Sequence, residues 1–533
     1  MILSVGLLVL FLCYFEVISA QKTTAVSKTI ALPRTFRPHN KPNLFNIYGT
    51  DDIVKSQHES RVRSSSEERN QNVALQVVST LDATEKTILK EFYTATRGEA
   101  WTWDKKTMGD RWNFTANSDP CQDHWFGVVC SCNVGTFKTN FTYSGNAYYS
   151  YDDIMTIACH VTKIALSGIN LDGTIPSSFS GLSYLTHLHL MVNALRGSIP
   201  SSLSVLTNLK ILSLYGNSLA SSIPTEFGLL TNLEYLNLAS NSLGPQGGIP
   251  TSFGNLINLI GIFLESNSLN GVIPSVLQRL TGLQYLSLGI NGFSRTIPSG
   301  LCNLTNLQYL DLSGNLLSGT IPTEIGKLVK LTQIFLGDNY FGFNQSIPSE
   351  IGYLTNLVEL DVSQGSSEHS SIYKLSSKVP YTIQNLVKLK SLKLNGNLLT
   401  GQVYSYWVNM RDLIVFNFGN NKFQGGDITS LCDLPNLRSV LLSDSSLCYP
   451  SCLSSVLISD DLKNNPRCPE GVDIALCSLA LHDVSDVQPI FNNSFTYPSQ
   501  LVDSEHPYKV NMAQNGTIMV AGMLRIDMTH LFK

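Results

Sequence analysis

The sequence has few charged side chains and no large excess of either sign. Lys and Arg number 36 and Asp and Glu 40 among 533 residues, and charged residues make up 14% of the chain, against roughly 25% in a typical soluble domain. The formal net charge of −4 argues against a nucleic-acid partner, because nucleic-acid-binding proteins usually carry a basic excess. It also argues against a long charged disordered chain.

Several motifs are missing as well. No paired C-x-x-C and no histidine cluster occurs at zinc-finger spacing, so structural zinc is disfavoured, and we expect neither a metal nor a cofactor. No set of kinase motifs is present. Beyond the first 20 residues, the best candidate for a membrane span is the segment 517–524, which is about half as long as a transmembrane helix. No membrane span is therefore expected after that N-terminal segment.

The chain begins with an uncharged apolar run. Residues 2–15 read ILSVGLLVLFLCYF, and Ser19, Ala20 and the polar Gln21 follow shortly after. Such a run is typical of a cleaved secretory signal peptide and is too short for a membrane anchor. Removing Cys13 from the 11 cysteines leaves an even number, as expected in an oxidising compartment. We predict secretion to the extracellular space, the cell surface or the wall.

Sequons for N-glycosylation agree with this route. Each one alone is a common chance pattern, and their agreement with the signal peptide makes glycosylation the expectation. The six asparagines are Asn113, Asn140, Asn303, Asn344, Asn492 and Asn515.

The central part of the chain repeats the frame L-x-x-L-x-L-x-x-N, as in Leu185, Leu188, Leu190 and Asn193. The second half of each copy tends to read L-x-G-x-I-P, as in residues 195–200. A chance pattern does not hold one long period over so many copies. The twelve leading apolar residues are at 161, 185, 209, 233, 259, 283, 307, 331, 357, 389, 413 and 437.

Each copy predicts one short strand, because x-x-L-x-L alternates with period two and buries its leucines on one face. Successive strands stack in parallel about 4.8 Å apart, and a buried leucine contributes roughly 1.5–3 kcal/mol only when neighbouring coils cover it. The closing Asn is expected to satisfy buried backbone groups, and the Pro to turn the chain away from the sheet. The predicted Asn ladder is Asn193, Asn217, Asn241, Asn267, Asn291, Asn315, Asn339, Asn397 and Asn421, with gaps at Ile169, Gly365 and Ser445.

This repeat resembles the plant-type class of leucine-rich-repeat proteins, which is marked by G-x-I-P. The resemblance covers about 161–447. It implies an α/β repeat fold, a right-handed solenoid with a parallel sheet on its concave face and disulfide-tied caps at its ends.

The segment before the repeats is similar to the N-terminal cap of that class. Asp82-x-x-Glu85 resembles a capping box, and D-P-C…W-x-G-V-x-C spans 119–130. By resemblance, Cys121 pairs with Cys130. The predicted helix after Asp82 has one apolar face, formed by Ile88, Leu89, Phe92 and Tyr93.

An insertion at 131–160 departs from the pattern of the family's cap. It runs from Cys132 to Cys159 and holds tyrosines at 143, 148, 149 and 151. We predict a Cys132–Cys159 disulfide that closes a hairpin. The tyrosines either form a binding surface or pack on the cap.

The remaining cysteines fall into two groups. Four of them follow the last repeat, resemble a C-terminal cap and leave three connectivities open. Cys302 and Cys432 occupy matching places in repeats five steps apart, hence roughly 24 Å from each other by strand spacing. That is too far for a bridge, so both are predicted to be buried thiols. The four cap cysteines are Cys448, Cys452, Cys468 and Cys477.

These patterns divide the chain into six segments. The tail is expected to hold either an extra strand pair or the start of a further domain. The segments are a signal peptide at 1–20, a disordered leader at 21–80, the N-terminal cap with its hairpin insertion at 81–160, the repeats at 161–447, a C-terminal Cys-rich cap at 448–477 and a tail of undetermined fold at 478–533.

The resemblance implies that ligands bind on the concave face, at the x positions of x-x-L-x-L-x-x. The leucines hold the core, so large side chains at those positions are expected to have no structural role. An aromatic and acidic strip suits stacking on sugar rings or pairing with a basic peptide; the alternative is that Tyr is merely tolerated on strands. We define the inner strip as Tyr235, Phe263, Tyr285, Tyr309, Phe335, Asp311, Glu359 and Asp361.

The inner strip is predicted to be acidic between 234 and 364, where Glu234, Glu265 and Asp338 add to it and no Lys or Arg occupies these positions. Basic residues are expected only at its two ends. They are Lys163, Lys210, Lys390, Lys393 and Arg438.

Two side-chain pairs are compatible with other chemistry. His187 and His189 share a strand face, but the sequence shows no third metal ligand. Glu359 and Asp361 share a face like a glycosidase acid pair, yet carboxyls on an open, solvated sheet lack the burial that raises a pKa. We therefore expect a protein that is not an enzyme.

The expected function is that of a secreted recognition protein that binds an extracellular protein, a peptide or a cell-wall polysaccharide. Three alternatives stay open: an inhibitor of wall-degrading hydrolases similar to polygalacturonase-inhibiting proteins, the ectodomain of a truncated cell-surface receptor, and a structural or adhesive wall protein. Pectinase inhibition, a longer transcript, and surface retention without a saturable ligand would distinguish them.

Overall fold

A computed structural model describes most of the repeat region and its N-terminal cap. The predicted signal peptide, most of the leader, the tyrosine-bearing part of the insertion and the cysteines 448, 452, 468 and 477 lie outside the described residues. The structure describes residues 77–132, 155–245, 247–341, 345–365, 374–403, 405–426, 428–441, 453, 510–512, 517–520 and 523–527.

Short strands dominate the described chain, with two α-helices before the repeats. In chain order the elements are β1 Val77–Leu81, α1 Ala83–Ala95, α2 Lys105–Met108, β2 Val128–Cys132, β3 Met155–Ala165, β4 Asp172–Gly173, β5 His187–His189, β6 Ala194–Gly197, β7 Ile211–Ser213, β8 Ser218–Ser221, β9 Tyr235–Asn237, β10 Ser242–Leu243, β11 Gly261–Phe263, β12 Asn270–Val272, β13 Tyr285–Ser287, β14 Gly292–Arg295, β15 Tyr309–Asp311, β16 Leu316–Gly319, β17 Gln333–Phe335, β18 Tyr340–Phe341, β19 Glu359–Asp361, β20 Ser376–Lys378, β21 Ser391–Lys393, β22 Leu398–Val403, β23 Val415–Asn417, β24 Lys422–Gly426, β25 Ser439–Leu441, β26 Val510–Met512, β27 Thr517–Val520 and β28 Met523–Asp527.

One long sheet runs the length of the repeats, in the order β1-β3-β5-β7-β9-β11-β13-β15-β17-β19-β21-β23-β25, with β2 added on β3. Twelve of these strands, from β3 to β25, correspond to the twelve predicted repeats. The middle residue of each short repeat strand is apolar and buried, most often a leucine, as at Leu188, Leu212 and Leu236, all 0% exposed. The predicted solenoid of parallel strands over a shared leucine core is confirmed.

The G-x-I-P half of each repeat leaves the long sheet as predicted. It forms short second sheets, β4-β6-β8-β10, β12-β14-β16-β18 and β20-β22-β24. The proline then caps a 3-10 helix, as Pro200 does for Ser201–Val205. The same helix recurs at Ser177–Gly181, Thr225–Leu229, Thr251–Asn255, Ser275–Arg279, Ser299–Asn303, Thr323–Lys327, Ser349–Tyr353, Tyr381–Asn385, Ser405–Asn409 and Ile428–Asp433.

The Asn ladder is present at all nine predicted positions. At Asn339, 1% exposed, Oδ1 accepts from the backbone N–H of Leu317 at 3.1 Å, and Nδ2 donates to the carbonyls of Leu312 and Leu336 at 2.9 and 3.0 Å. Each asparagine therefore satisfies backbone groups of two adjacent repeats. Equivalent bonds occur at the other eight asparagines.

The N-terminal cap covers the first coil. The Asp82 side chain accepts from the N–H groups of Thr84 and Glu85 and so begins α1. Phe92 on the buried face of α1 packs against Phe179 of the first 3-10 helix, with ring centroids 4.8 Å apart. The apolar end of the solenoid is thereby closed. The other buried cap side chains include Ile88, Leu89, Tyr93, Trp101, Trp112 and Trp125.

Both disulfides expected in the cap are present, Cys121–Cys130 and Cys132–Cys159. The second joins β2 to β3, which pair antiparallel as the predicted hairpin requires. One boundary was wrong: β1 begins at Val77, within the segment 21–80 assigned to the disordered leader, because Val77 to Leu81 pair with β3.

The two cysteines predicted to be buried thiols differ. Cys302 is free and 1% exposed, and burial raises the pKa of its thiol to about 11. Cys432 is disulfide-bonded instead, so that prediction is wrong. Strand spacing excludes a bridge between Cys432 and Cys302, but it places no limit on a bridge from Cys432 to a cysteine after the last repeat.

The described residues of the tail form three short strands. β26, β27 and β28 form an antiparallel sheet, one strand more than the predicted pair. In the part of the chain that the structure describes, no helix combines the length and the apolar character needed to cross a bilayer.

Candidate functional site

The inner face of the long sheet carries the first and third residues of each strand, because the middle leucine enters the core. In β15, Leu310 is buried in the core between Tyr309 and Asp311. The register places Tyr285 beside Tyr309 and Ser287 beside Asp311 on the neighbouring strand. The structure therefore brings the eight residues of the inner strip onto one face, across strands β9 to β19.

The aromatic residues of the inner strip pack on one another. The rings of Phe263 and Tyr285 stack at 6.4 Å between centroids, and those of Tyr309 and Phe335 lie 5.7 Å apart. Phe263 and Tyr309 are 4% exposed and Phe335 is 7%, whereas Tyr235 and Tyr285 are half-buried. The expectation that these side chains have no structural role is therefore wrong for the three buried rings, because strand neighbours cover each other.

At the β19 end of the inner strip, Glu359 and Asp361 form an ion pair with a lysine, Lys393. Lys393 Nζ, on β21, lies 3.5 Å from Glu359 Oε1 and 3.2 Å from Asp361 Oδ2. Burial raises the pKa of Glu359, against the opposing effect of Lys393. Burial alone lowers the pKa of Lys393, but Asp361 and Glu359 outweigh it and raise that pKa.

Two predictions about the β19 end of the inner strip are wrong, one about Lys393 and one about the Glu359–Asp361 pair. Lys393 does not merely flank the inner strip; it contacts two of its carboxyls. Glu359 is 6% exposed, so the premise of a solvated acid pair was wrong. Because the Lys393 ammonium lies between the two carboxylates, Glu359, Asp361 and Lys393 form an internal ion network and not an acid–base pair for hydrolysis.

The centre of the inner face holds buried carboxyls that form no ion pair with a cation of the described residues. Burial raises the pKa of Glu265 to about 7. Burial likewise raises the pKa of Asp311 to about 6, although the Ser313 N–H and hydroxyl donate to Oδ1 at 2.9 and 2.6 Å. Burial raises the pKa of Asp338 to about 7, against a hydrogen bond from the Gly365 N–H. The negative charge here is therefore largely lost in mild acid.

The basic residues at the β5 end surround the two histidines. The rings of His187 and His189 lie 6.1 Å apart. Burial, and then the charge of Lys163, lowers the pKa of His187 to about 3 and that of His189 to about 4. The described residues contain no group of three or more His, Cys, Asp or Glu arranged to hold a metal ion. Lys210 pairs with Glu234 at 3.0 Å.

Two of the six predicted glycosylation sites lie in the described residues. Asn113 and Asn303 are both exposed, and Asn113 Oδ1 accepts from the Thr115 N–H within its own sequon at 3.1 Å. Asn140, Asn344, Asn492 and Asn515 lie outside the described residues.

Comparisons with known proteins agree with this geometry. The family model described as Leucine Rich Repeat matches residues 208–230, 232–256 and 306–328. The chain is 30% identical to the leucine-rich-repeat ectodomain of the plant membrane receptor kinase GASSHO1/SCHENGEN3 from Arabidopsis thaliana, solved in complex with CASPARIAN STRIP INTEGRITY FACTOR 2, with a TM-score of 0.56 over 69% of this chain and 40% of that chain.

Two further solved structures are similar in fold. One is PEPR1–AtPEP1, at 24% identity and TM-score 0.48, covering 69% of this chain and 52% of that chain. The other is the plant peptide hormone receptor RGFR1 in complex with RGF2, at 28% identity and TM-score 0.38, covering 54% of this chain and 55% of that chain. A search of curated proteins gives no significant match.

The repeats, the long parallel sheet, the family-model matches and the likeness to the GASSHO1/SCHENGEN3 ectodomain define the class of fold: the protein is built as a leucine-rich-repeat solenoid of the plant type. It spans 40% of the GASSHO1/SCHENGEN3 ectodomain. The comparisons indicate no catalytic family.

Proposed function

We propose that this protein is a secreted recognition protein whose inner strip binds a peptide or an extended segment of another protein. The observation that carries the proposal is the line of aromatic and acidic side chains across β9 to β19 on one open sheet face. Six strands at about 4.8 Å spacing extend about 24 Å, the length of about seven residues of extended chain.

The packing of the rings favours a peptide over a polysaccharide. Sugar recognition by stacking needs open aromatic faces, whereas Phe263, Tyr309 and Phe335 are almost fully buried against neighbours. The similar GASSHO1/SCHENGEN3 ectodomain was solved with CASPARIAN STRIP INTEGRITY FACTOR 2 bound, and its likeness supports a protein or peptide partner for this chain. Secretion rests on the apolar run at 2–15 and on the disulfides, which are typical of oxidising compartments.

The test is a binding screen of the purified secreted protein against extracellular peptides, proteins and glycans. The half-buried Tyr285 lies on the inner strip, so Tyr285→Ala should weaken binding at least about tenfold. Tyr353 is 59% exposed on a 3-10 helix away from this face, so Tyr353→Ala is the matched control and should bind normally. Unchanged affinity in Tyr285→Ala together with loss in Tyr353→Ala would place the site elsewhere.

A further inference from the structure

Three buried side-chain oxygens on the inner face have no partner at ordinary hydrogen-bond geometry among the described residues, although the Ser287 hydroxyl acts on Glu265 and Tyr309, and the Tyr309 hydroxyl on Asp311, from farther away. The three oxygens are Glu265 Oε2, Ser287 Oγ and Asp311 Oδ2. The three residues are 8%, 2% and 0% exposed, respectively. A buried polar atom without a partner costs free energy, so three of them on successive repeats need an explanation.

Backbone geometry brings these oxygens together. Ser287 is the register partner of both Phe263 on β11 and Asp311 on β15, and Glu265 follows β11 by two residues. Gly289 lies beyond Ser287 on the intervening repeat, and a Cβ at this glycine would be 2.8 Å from both Asp311 carboxylate oxygens. Because Gly289 has no side chain, the Asp311 carboxylate can lie next to the repeat that contains β13, which separates it from the repeat of Glu265.

The charged groups that act on the two carboxyls are themselves acidic. Asp311 acts on Glu265, and Asp361 acts on Asp311. Tyr309 faces both carboxyls, and Tyr215 faces Glu265. Two repeats further along, the comparable pair Glu359 and Asp361 is neutralised by Lys393. Lys393 therefore shows how such a pair is compensated, whereas no cation of the described residues pairs with Glu265 or Asp311.

We propose that Glu265, Ser287 and Asp311 form a subsite for a basic side chain, the guanidinium or ammonium group of an Arg or Lys, on the bound peptide. This inference rests on the proposed function. A guanidinium has five N–H donors in a rigid plane and can serve three separate acceptors. Tyr309 is 4% exposed and lies against both carboxyls, so its ring has to adopt another rotamer before the basic side chain can reach them.

A metal ion fits this group less well. Calcium takes six to eight oxygen ligands, whereas the group offers two carboxyls and one hydroxyl. A basic side chain also explains why the acidic residues are not compensated internally: the ligand replaces the cation that Lys393 supplies at β19. Binding is then coupled to release of protons from the two carboxyls in mild acid.

The test uses a displayed library of random heptapeptides as the probe. Binders whose affinity falls in Tyr285→Ala should carry an Arg or Lys. The synthetic peptide with that residue should bind at least about tenfold more weakly to Glu265→Gln and to Asp311→Asn. A matched peptide with neutral citrulline in place of Arg should bind wild type weakly and lose nothing further in the variants.

The outcomes separate the two proposals. If no peptide depends on Tyr285, the proposed function fails. If peptides depend on Tyr285 but lack a basic residue, or bind both carboxyl variants normally, the subsite is overturned while the function stands. Stabilisation by calcium chloride that disappears in Glu265→Gln would also overturn it, in favour of a metal. Both variants should melt no lower than wild type at about pH 8, because they remove uncompensated buried charge; a lower melting temperature in both would contradict the subsite.

Discussion

The Asn217 side chain ties its repeat to the one before it. Its Oδ1 accepts from the Leu195 N–H at 3.0 Å, while its Nδ2 donates to the carbonyls of Leu190 and Leu214, each at 2.9 Å. The residue is 3% exposed, so water cannot replace these bonds. The stacking of the leucine core therefore depends on a polar side chain at each bend.

Replacing Asn217 by Ala should lower the free energy of unfolding by about 2–4 kcal/mol, because it leaves several buried backbone groups without partners. Equilibrium urea unfolding measures this loss. The matched control is Asn208→Ala, directly before the leading leucine of that repeat, where an exposed amide donates to the Ser183 carbonyl; its cost should stay below about 1 kcal/mol. Equal costs for the two variants would contradict a special role for the ladder.

The periodic parts of the fold were predictable because the residues of each repeat determine its local structure. The leucines, the closing Asn and the I-P turn recur at fixed spacing, and stacking of identical units then determines the sheet. The burial of Phe263 and Tyr309 was not predictable in this way. Their burial depends on which side chain lies next to them on the neighbouring strand. That is a contact between two repeats, and the sequence pattern within one repeat does not contain it.

The contact of Lys393 with Glu359 and Asp361 was not predictable for the same reason, because it joins two different repeats. In sequence the lysine stands outside the acidic stretch, yet the register pairs it directly with Asp361. The disulfide of Cys432 shows another limit, because strand spacing within the repeats tests only a bridge to Cys302. Glu265 was visible as an acidic position, but its lack of a cation became apparent only against the compensated pair at β19.

Replacing Lys393 by Met should destabilise the protein by about 3 kcal/mol at about pH 8, because it leaves Glu359 and Asp361 buried and unpaired. Burial raises the pKa of Glu359 above its usual 4.5, so ionisation opposes folding. The deficit should therefore be nearly absent below that usual pKa and should grow as the pH rises through the raised value. Thermal unfolding across this pH range measures it.

The control for this charge network is Lys210→Met. Lys210 and Glu234 form an exposed pair, with side-chain exposures of 52% and 30%, so its removal should cost less than about 1 kcal/mol at any pH. A Lys393→Met deficit that does not change with pH would show that its cause is lost packing and not the unpaired carboxyls.

Alkylation should distinguish Cys302 from Cys432. Only the thiolate reacts, and Cys302 is buried with its pKa raised to about 11, so iodoacetamide should leave it unmodified in the native protein. In concentrated guanidinium chloride without reductant, peptide mass spectrometry should find Cys302 modified and Cys432 unmodified, because Cys432 is in a disulfide. Modification of Cys432 before reduction would contradict that disulfide.

Expression through a secretory pathway should place N-glycans on Asn113 and Asn303, because both side chains are exposed within sequons that the glycosylation machinery recognises. Asn303 ends a 3-10 helix on the side of the coil away from the inner strip. Asn303→Gln should therefore remove one glycan, seen as a smaller mass shift on enzymatic deglycosylation, and change stability by less than about 0.5 kcal/mol. Asn306→Gln, outside any sequon but nearby, should keep the full glycan mass. A secreted protein without glycan at either asparagine would contradict this assignment.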